Sequence, residues 1–199
     1  MSQRKKPHGA LAALMLFALA GCSSTSIGVG DYPSYTEETL VAEATVVETG
    51  TPVLSEPYLL KPSDEGYQGD DPQQNPMAGF SEEEIQRAID ESEGVEGTAV
   101  TFLIDTSYRG TLEPGQEVTV VQTGGGSGNT VHVVEQEPPL QKEERYLLFM
   151  SESRIDGAFV ILGGSAGMYA EDDDAFVPVR AESAPFARLT NADLESLLR

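Results

Sequence analysis

Apolar residues fall along this chain in short runs separated by Gly, Pro and acidic residues, and the longest run is Ala10 to Ala20. Its length is that of a secretory h-region and too short to cross a bilayer as a helix. Residues 23–39 are rich in Ser, Thr and Gly and predict a flexible spacer. Leu40 to Glu48 (LVAEATVVE) carries Val41, Val46 and Val47 ahead of Gly50 and Pro52, and predicts a strand. A helix is the rival there, because LVAEA is also a fair helix sequence. Pro57, Pro62, Pro72 and Pro76 then follow Pro52 among acidic and amide residues, which predicts an irregular insertion over about 49–97. Within it, Leu54 and Tyr58 to Leu60 are expected to dock onto the core.

The insertion also holds the clearest helix signal, residues 81–92. Ser81 and Glu84 have capping-box spacing, and Phe80 and Ile85 have the spacing of a hydrophobic staple. Glu82, Glu83 and Glu84 suit the positive end of the helix dipole. Ile85, Ala88 and Ile89 form one narrow apolar stripe, and Gly94 ends the helix. Strand patterns dominate afterwards. They cover Thr98 to Asp105, Glu117 to Gln122, Thr130 to Glu135, Arg145 to Met150 and Ala158 to Leu162, with a last hairpin from Gly167 to Ala170 and Ala175 to Val179. Thr130 to Glu135 is expected to pair back on the preceding strand across the Gly-rich turn, and Arg145 to Met150 to be central. Residues 191–199 predict a short C-terminal helix capped by Thr190 or Asn191. Many short strands with Gly/Pro turns predict a mainly β fold: a small antiparallel OB-like barrel, or alternatively a β-sandwich.

Charge and the N-terminus add an address. The 199 residues carry 33 Asp+Glu against 12 Lys+Arg, a formal charge of −21. Such a chain repels nucleic acid, whose binding depends on Lys and Arg. Arg4, Lys5 and Lys6 precede the apolar run, and Leu19-Ala20-Gly21-Cys22 closes it. Small residues before the cut suit an exposed scissile bond, and the Cys22 thiol suits acylation. This order resembles the bacterial lipobox. The resemblance implies a signal peptide over 1–21 and a lipid-bearing (palmitate-type) Cys22, with a tethered spacer over 22–39 and a domain over 40–199. It places the protein on the outer side of a bacterial membrane, in the cell envelope.

Candidate chemistry is sparse. Cys22 is the only Cys, so no disulfide can form within the chain and a Cys/His zinc site lacks ligands. His8 would leave with the signal peptide. His132 then remains the only imidazole, and it points to the opposite face of its strand from Val131 and Val133. The carboxylates are too many for sequence to nominate a catalytic pair. Glu171, Asp172, Asp173 and Asp174 form an acidic turn that offers oxygen ligands to calcium but lacks EF-hand spacing. Gly124, Gly126 and Gly128 read as a turn, since no Lys-Ser/Thr follows as in a phosphate loop. No cofactor and no metal is expected.

Several segments, taken in order, carry a wider resemblance: AEATVVETG, VTFLIDTSYRG, EVTVVQTGGG, PPLQKEERYLLFM and GAFVILGGSAGMYAEDDDAFVPV. Together they resemble the netrin-like (tissue-inhibitor-of-metalloproteinase-like) OB barrels, and more closely small exported bacterial lipoproteins of unassigned function. Where a Gly is common before Glu144-Arg145-Tyr146, this chain has Glu143. The resemblance implies an OB-like barrel. Inhibitors of that group chelate protease zinc through a free N-terminal Cys and brace it with disulfides; Cys22 is instead expected to be acylated and has no Cys to pair with. The expected function is a non-catalytic, membrane-tethered binding or adaptor domain with a protein partner in the envelope. The rivals are an envelope enzyme using carboxylates, with His132 as its candidate base, and an inhibitor of an exported protease.

Overall fold

The computed structural model describes residues 24–28, 32–61, 78–127, 130–134, 137–153, 155 and 157–198, with 24–28, 126, 127 and 130–133 described by backbone alone. In chain order the elements are β1 (Ser24–Gly28), α1 (Glu37–Glu43), β2 (Val46–Leu60), α2 (Glu82–Glu91), β3 (Val95–Arg109), β4 (Glu117–Thr123), β5 (Gly125–Ser127), β6 (Thr130–Val134), β7 (Tyr146–Glu152), β8 (Ala158–Ile161), β9 (Met168–Asp172), β10 (Ala175–Pro178), β11 (Leu189–Thr190) and α3 (Asn191–Leu197).

The protein is mainly β and barrel-like. One sheet holds eight strands in the order β11-β10-β9-β7-β2-β3-β4-β8, and an extra β7–β8 pairing closes five of them into a ring. The sheet is mixed rather than purely antiparallel as expected, because β8 runs parallel to β4 while pairing antiparallel with β7. Closure gives a ring with one interior, not the face-to-face sheets of a sandwich.

β7 explains why the ring has two cores. Its first five residues are all buried, and they alternate between the two sides of the sheet. Tyr146, Leu148 and Met150 point into the ring with Val100, Phe102, Ile104 and Val120. Leu147 and Phe149 point outward, under a second core formed with Leu40, Tyr169, Phe176, Phe186 and Leu194. A strand covered on both faces reads as a continuous apolar run, which is how the sequence marked it as central. α1 and α3 cover the outer core, and each is held by a capping box: Thr36 with Thr39, and Thr190 with Asp193.

Three expectations need correction. Leu40 to Glu48 is not one strand: α1 occupies its first residues and β2 starts at Val46. Thr36 caps α1 and puts Glu37 and Glu38 in its first turn, a start signal lying in what was expected to be spacer. The spacer expected over 22–39 therefore ends earlier, and its backbone at Ser24–Gly28 pairs in parallel with β6. β6 accordingly sits in a separate three-stranded sheet with β1 and β5 and does not pair with β4.

The largest correction concerns 49–97. β2 runs on through Pro52 and Pro57 to Leu60, and β3 begins at Val95, so much of the expected irregular insertion is a long β2–β3 arm, backed by β4 from Gly97 to Leu103. Proline removes a ladder donor and is tolerated where a strand has a partner on one side only. β7 pairs with β2 only from Val46 to Gly50, and both prolines come after that point. Where β2 is held on both sides, Gly50 is required: a Cβ there would fall 2.2 Å from the Leu103 carbonyl oxygen. Register shifts at Val47/Glu48, Thr49/Gly50 and Pro52/Leu54 bend β2 around the ring.

Glu143 adopts φ 69°, the left-handed region where glycine is favoured. Glu143→Gly is expected to stabilise the fold by about 0.5–1 kcal/mol, because relief of the left-handed penalty outweighs the added unfolded-state entropy. Urea denaturation of the two proteins checks it; a less stable variant would contradict this account of the turn.

Candidate functional site

Leu19, Ala20, Gly21 and Cys22 lie outside the described residues. His132 is placed by its backbone, opposite Gly125 of β5 and Ser26 of β1, and its side chain lies outside the described residues. The acidic turn is described, and three of its carboxylates, Glu171, Asp172 and Asp174, are engaged. Arg188 reaches Asp174 at 2.7 Å and Asp172 at 4.0 Å, while Glu171 pairs with Arg145. Asp173 takes the left-handed position of the hairpin turn, at φ 55°. Among the described residues, no group of three or more His, Cys, Asp or Glu side chains is arranged to hold a metal ion.

The Glu144-Arg145-Tyr146 run proves architectural. Arg145 donates to Asp105 of β3 at 2.9 Å, to Glu171 of β9 and to Thr49 of β2 at 3.2 Å, and its guanidinium lies 5.6 Å from the centre of the Phe176 ring. The Tyr146 hydroxyl donates to Glu144 at 2.6 Å and accepts from the Gln141 backbone N–H at 3.1 Å. One side chain from the start of β7 thereby ties three other strands together.

Two buried carboxyls escaped sequence reading. Glu48 is 0% exposed, and its Oε1 accepts from the Ser107 hydroxyl at 2.9 Å while Oε2 has no hydrogen-bond partner. Burial pushes its pKa up to about 7, against a smaller downward pull from Ser107. Glu137 is also buried. It accepts from the Thr123 N–H at 3.0 Å and from the Tyr32 hydroxyl, so it ties Tyr32 to the end of β4. Burial likewise raises the Glu137 carboxyl, and these two donors counter the rise. Glu48 is enclosed by the ring and Glu137 is latched to its donors, so each serves the fold at its position.

The exposed large apolar side chains gather on the arm and beside it. Leu54, Tyr58 and Leu59, expected to dock onto the core, are instead exposed, as are Val95 and Phe80. Leu54, Glu56 and Tyr58 share one face of β2 and lie opposite Thr101, Ala99 and Gly97 of β3. The small Ala99 and Gly97 lie opposite Glu56 and Tyr58, and Leu54 faces Thr101. On β2's other side no strand pairs with 54–60 among the described residues, so its outward backbone groups, of which Pro57 offers a carbonyl only, have no strand partner there.

α2 joins this arm near its tip. Its capping box forms as predicted: the Ser81 hydroxyl accepts from the Glu84 N–H, and the Glu84 carboxylate accepts from the Ser81 N–H. No residue of α2 is buried, however, so the Ile85, Ala88 and Ile89 stripe lacks a full cover. Phe80, Glu84, Ile85, Arg87, Ala88 and Glu91 line a shallow groove of about 280 Å³. Gly94 then turns the chain into β3 against the Leu59 side chain.

The fold and the arm together define a mainly β, barrel-like protein with exposed apolar side chains along the β2–β3 strand pair. No protein-family model matches the chain, and no similar sequence was found among curated proteins.

Proposed function

We propose that this protein is a lipid-anchored, extracytoplasmic binding domain of the bacterial envelope, tethered through Cys22 and contacting a protein partner through the β2–β3 arm. The observation that carries the binding role is the arm itself. It exposes Leu54 at 50%, Leu59 at 46% and Val95 at 56%, beside a strand edge open among the described residues. Exposed apolar side chains beside unpaired strand backbone mark interaction sites in soluble domains. The tether rests on the ordered Arg4-Lys5-Lys6, Ala10–Ala20 and Leu19-Ala20-Gly21-Cys22 signals. The high negative charge suits a domain held near anionic lipid but not lying on it.

A photo-crosslinking residue at position 58, with a control at Glu113 in an exposed loop, tests the binding role in the native envelope. Discrete adducts from position 58 and none from 113 are expected; equal yields from both would contradict it. For the tether, Cys22→Ser is expected to abolish labelling by radioactive palmitate and to leave an uncleaved precursor or a released protein. A Cys22→Ser protein that still labels and fractionates with membranes as the wild type does would overturn the anchoring.

A further inference from the structure

We propose that the open edge of β2, from Leu54 to Leu60, takes up an extended segment of a partner protein as an added strand, the segment carrying apolar side chains that alternate with Lys or Arg along one face. This rests on the binding role proposed above and names the partner's chemistry. Glu143 donates its N–H to the Pro52 carbonyl at 3.3 Å, next to the point where β7 leaves β2. Beyond it, β2 is paired to β3 alone among the described residues. Addition of a strand satisfies such an edge through main-chain hydrogen bonds, while alternate side chains confer selectivity.

The edge carries little of the usual protection. Natural edges are blunted by lysines, prolines and inward charges. Residues 54–60 read LSEPYLL, with Pro57 and Glu56 as the protective residues and no lysine. The side chains on β2 dictate the segment that fits. Leu54 and Tyr58 flank Glu56 on one face, so an added strand meets apolar, acidic and apolar positions in turn. A complementary strand places a cation between two apolar residues on that face.

Charge selects the same occupant. Glu82, Glu83, Glu84, Glu91 and Glu93 lie in and beside α2, near the arm's tip, against Arg87 alone on that helix. A basic segment is drawn to this end of the molecule. A second copy of the chain is not, because two molecules of formal charge −21 would be brought edge to edge.

The test pans a random dodecamer library displayed on phage against the full chain in detergent micelles. Enriched sequences are expected to carry an apolar residue, Lys or Arg, and an apolar residue at every second position, so that the three share one face. A synthetic peptide of the enriched sequence is expected to lose at least about tenfold in affinity, some 1.4 kcal/mol, when its alternate backbone amides are N-methylated. Ser55→Pro is the matching change in the protein. Ser55 shares the pleat direction of Pro57, whose missing N–H is tolerated on the open side, so its own N–H faces outward and the β3 ladder is kept. This variant is expected to melt as the wild type does and to bind the peptide about tenfold more weakly. Glu56→Lys is expected to weaken binding of the basic peptide and not of a neutral analogue.

Several results would overturn the inference: no enrichment, enrichment of acidic or helically spaced sequences, indifference to N-methylation, or a Ser55→Pro protein of wild-type affinity. A dimer in sedimentation that Ser55→Pro dissolves would make a second copy the occupant and overturn it too. Crosslinking from position 58 reads the binding role separately. Adducts there alongside a failed peptide test retain a binding arm and reject strand addition.

Discussion

Replacing Phe149 with alanine is expected to cost about 3–5 kcal/mol, most of the stability an ordinary domain possesses. Phe149 is 0% exposed and sits in the strand that serves both cores. Its ring meets Tyr169 edge-on, with centroids 5.8 Å apart, and stacks on Phe186 at 6.1 Å. The truncation loses the ring's transfer free energy and leaves a cavity in the outer core. It also breaks two aromatic contacts worth about 0.5–1.5 kcal/mol each. The backbone cannot collapse into the gap, because β7 is paired to β2 at Phe149 and the Phe149 carbonyl accepts from the Leu162 N–H at 3.0 Å. For a chain of this size the melting temperature should fall by about 10 °C. A fall below about 3 °C in a thermal melt would mean that the outer core packs loosely and that the two cores do not share β7 as described.

The second large effect depends on pH. Glu48 holds its proton in the folded state up to about pH 7, whereas its ordinary value is 4.5. Its contribution to stability is therefore fully present below pH 4.5 and is lost as pH rises through about 7. Between those values the folded chain binds the extra proton, so stability falls with rising pH. Glu48→Gln removes this titration. The variant's stability relative to the wild type should shift in its favour by about 3 kcal/mol between pH 4 and pH 8. Self-repulsion among the many carboxylates also changes over that range but is nearly common to both proteins, so the difference isolates Glu48. Urea denaturation of both proteins at several pH values measures it. A difference flat with pH would mean that the Glu48 carboxyl reaches water in the folded protein.

What the sequence conveyed depended on whether the signal was local. The capping box at Ser81 and Glu84, the run Tyr146 to Met150 and the final hairpin each place their whole cue within a few neighbouring residues. All three appear as expected. The arm was illegible because Pro52 and Pro57 read as strand breakers. Their tolerance depends on where β7 stops pairing with β2, a fact settled almost a hundred residues away. Glu48 was illegible for a related reason. In VVETG a carboxylate between Val47 and Thr49 reads as outward-facing, yet β2 is buried on both sides at that point. At LVAEA the helix stood only as the rival to a strand, because the cap of α1, Thr36, uses Thr39 where the usual box has Glu or Gln. Leu54, Tyr58 and Leu59 were noticed as apolar, but apolar character alone assigned them to the core. The basis of the proposed contact surface became visible only with the sheet order.

The double pairing of β8 sets an order on assembly. β8 must meet β4 in parallel and β7 in antiparallel fashion, and β2 must find β7 in the register Val46↔Met150. A chain delivered from its N-terminus thus has β2, β3 and β4 in place while the strands that complete the ring are still missing. Contacts of such long sequence separation incur their loop entropy before any reward, which makes folding slow. Until Ile161 has arrived, the nascent sheet has exposed edges on both sides, the condition in which chains associate wrongly. The last short strand of the ring is therefore the timing element of the fold: truncation just ahead of Ala158 should yield a chain that aggregates rather than a smaller barrel.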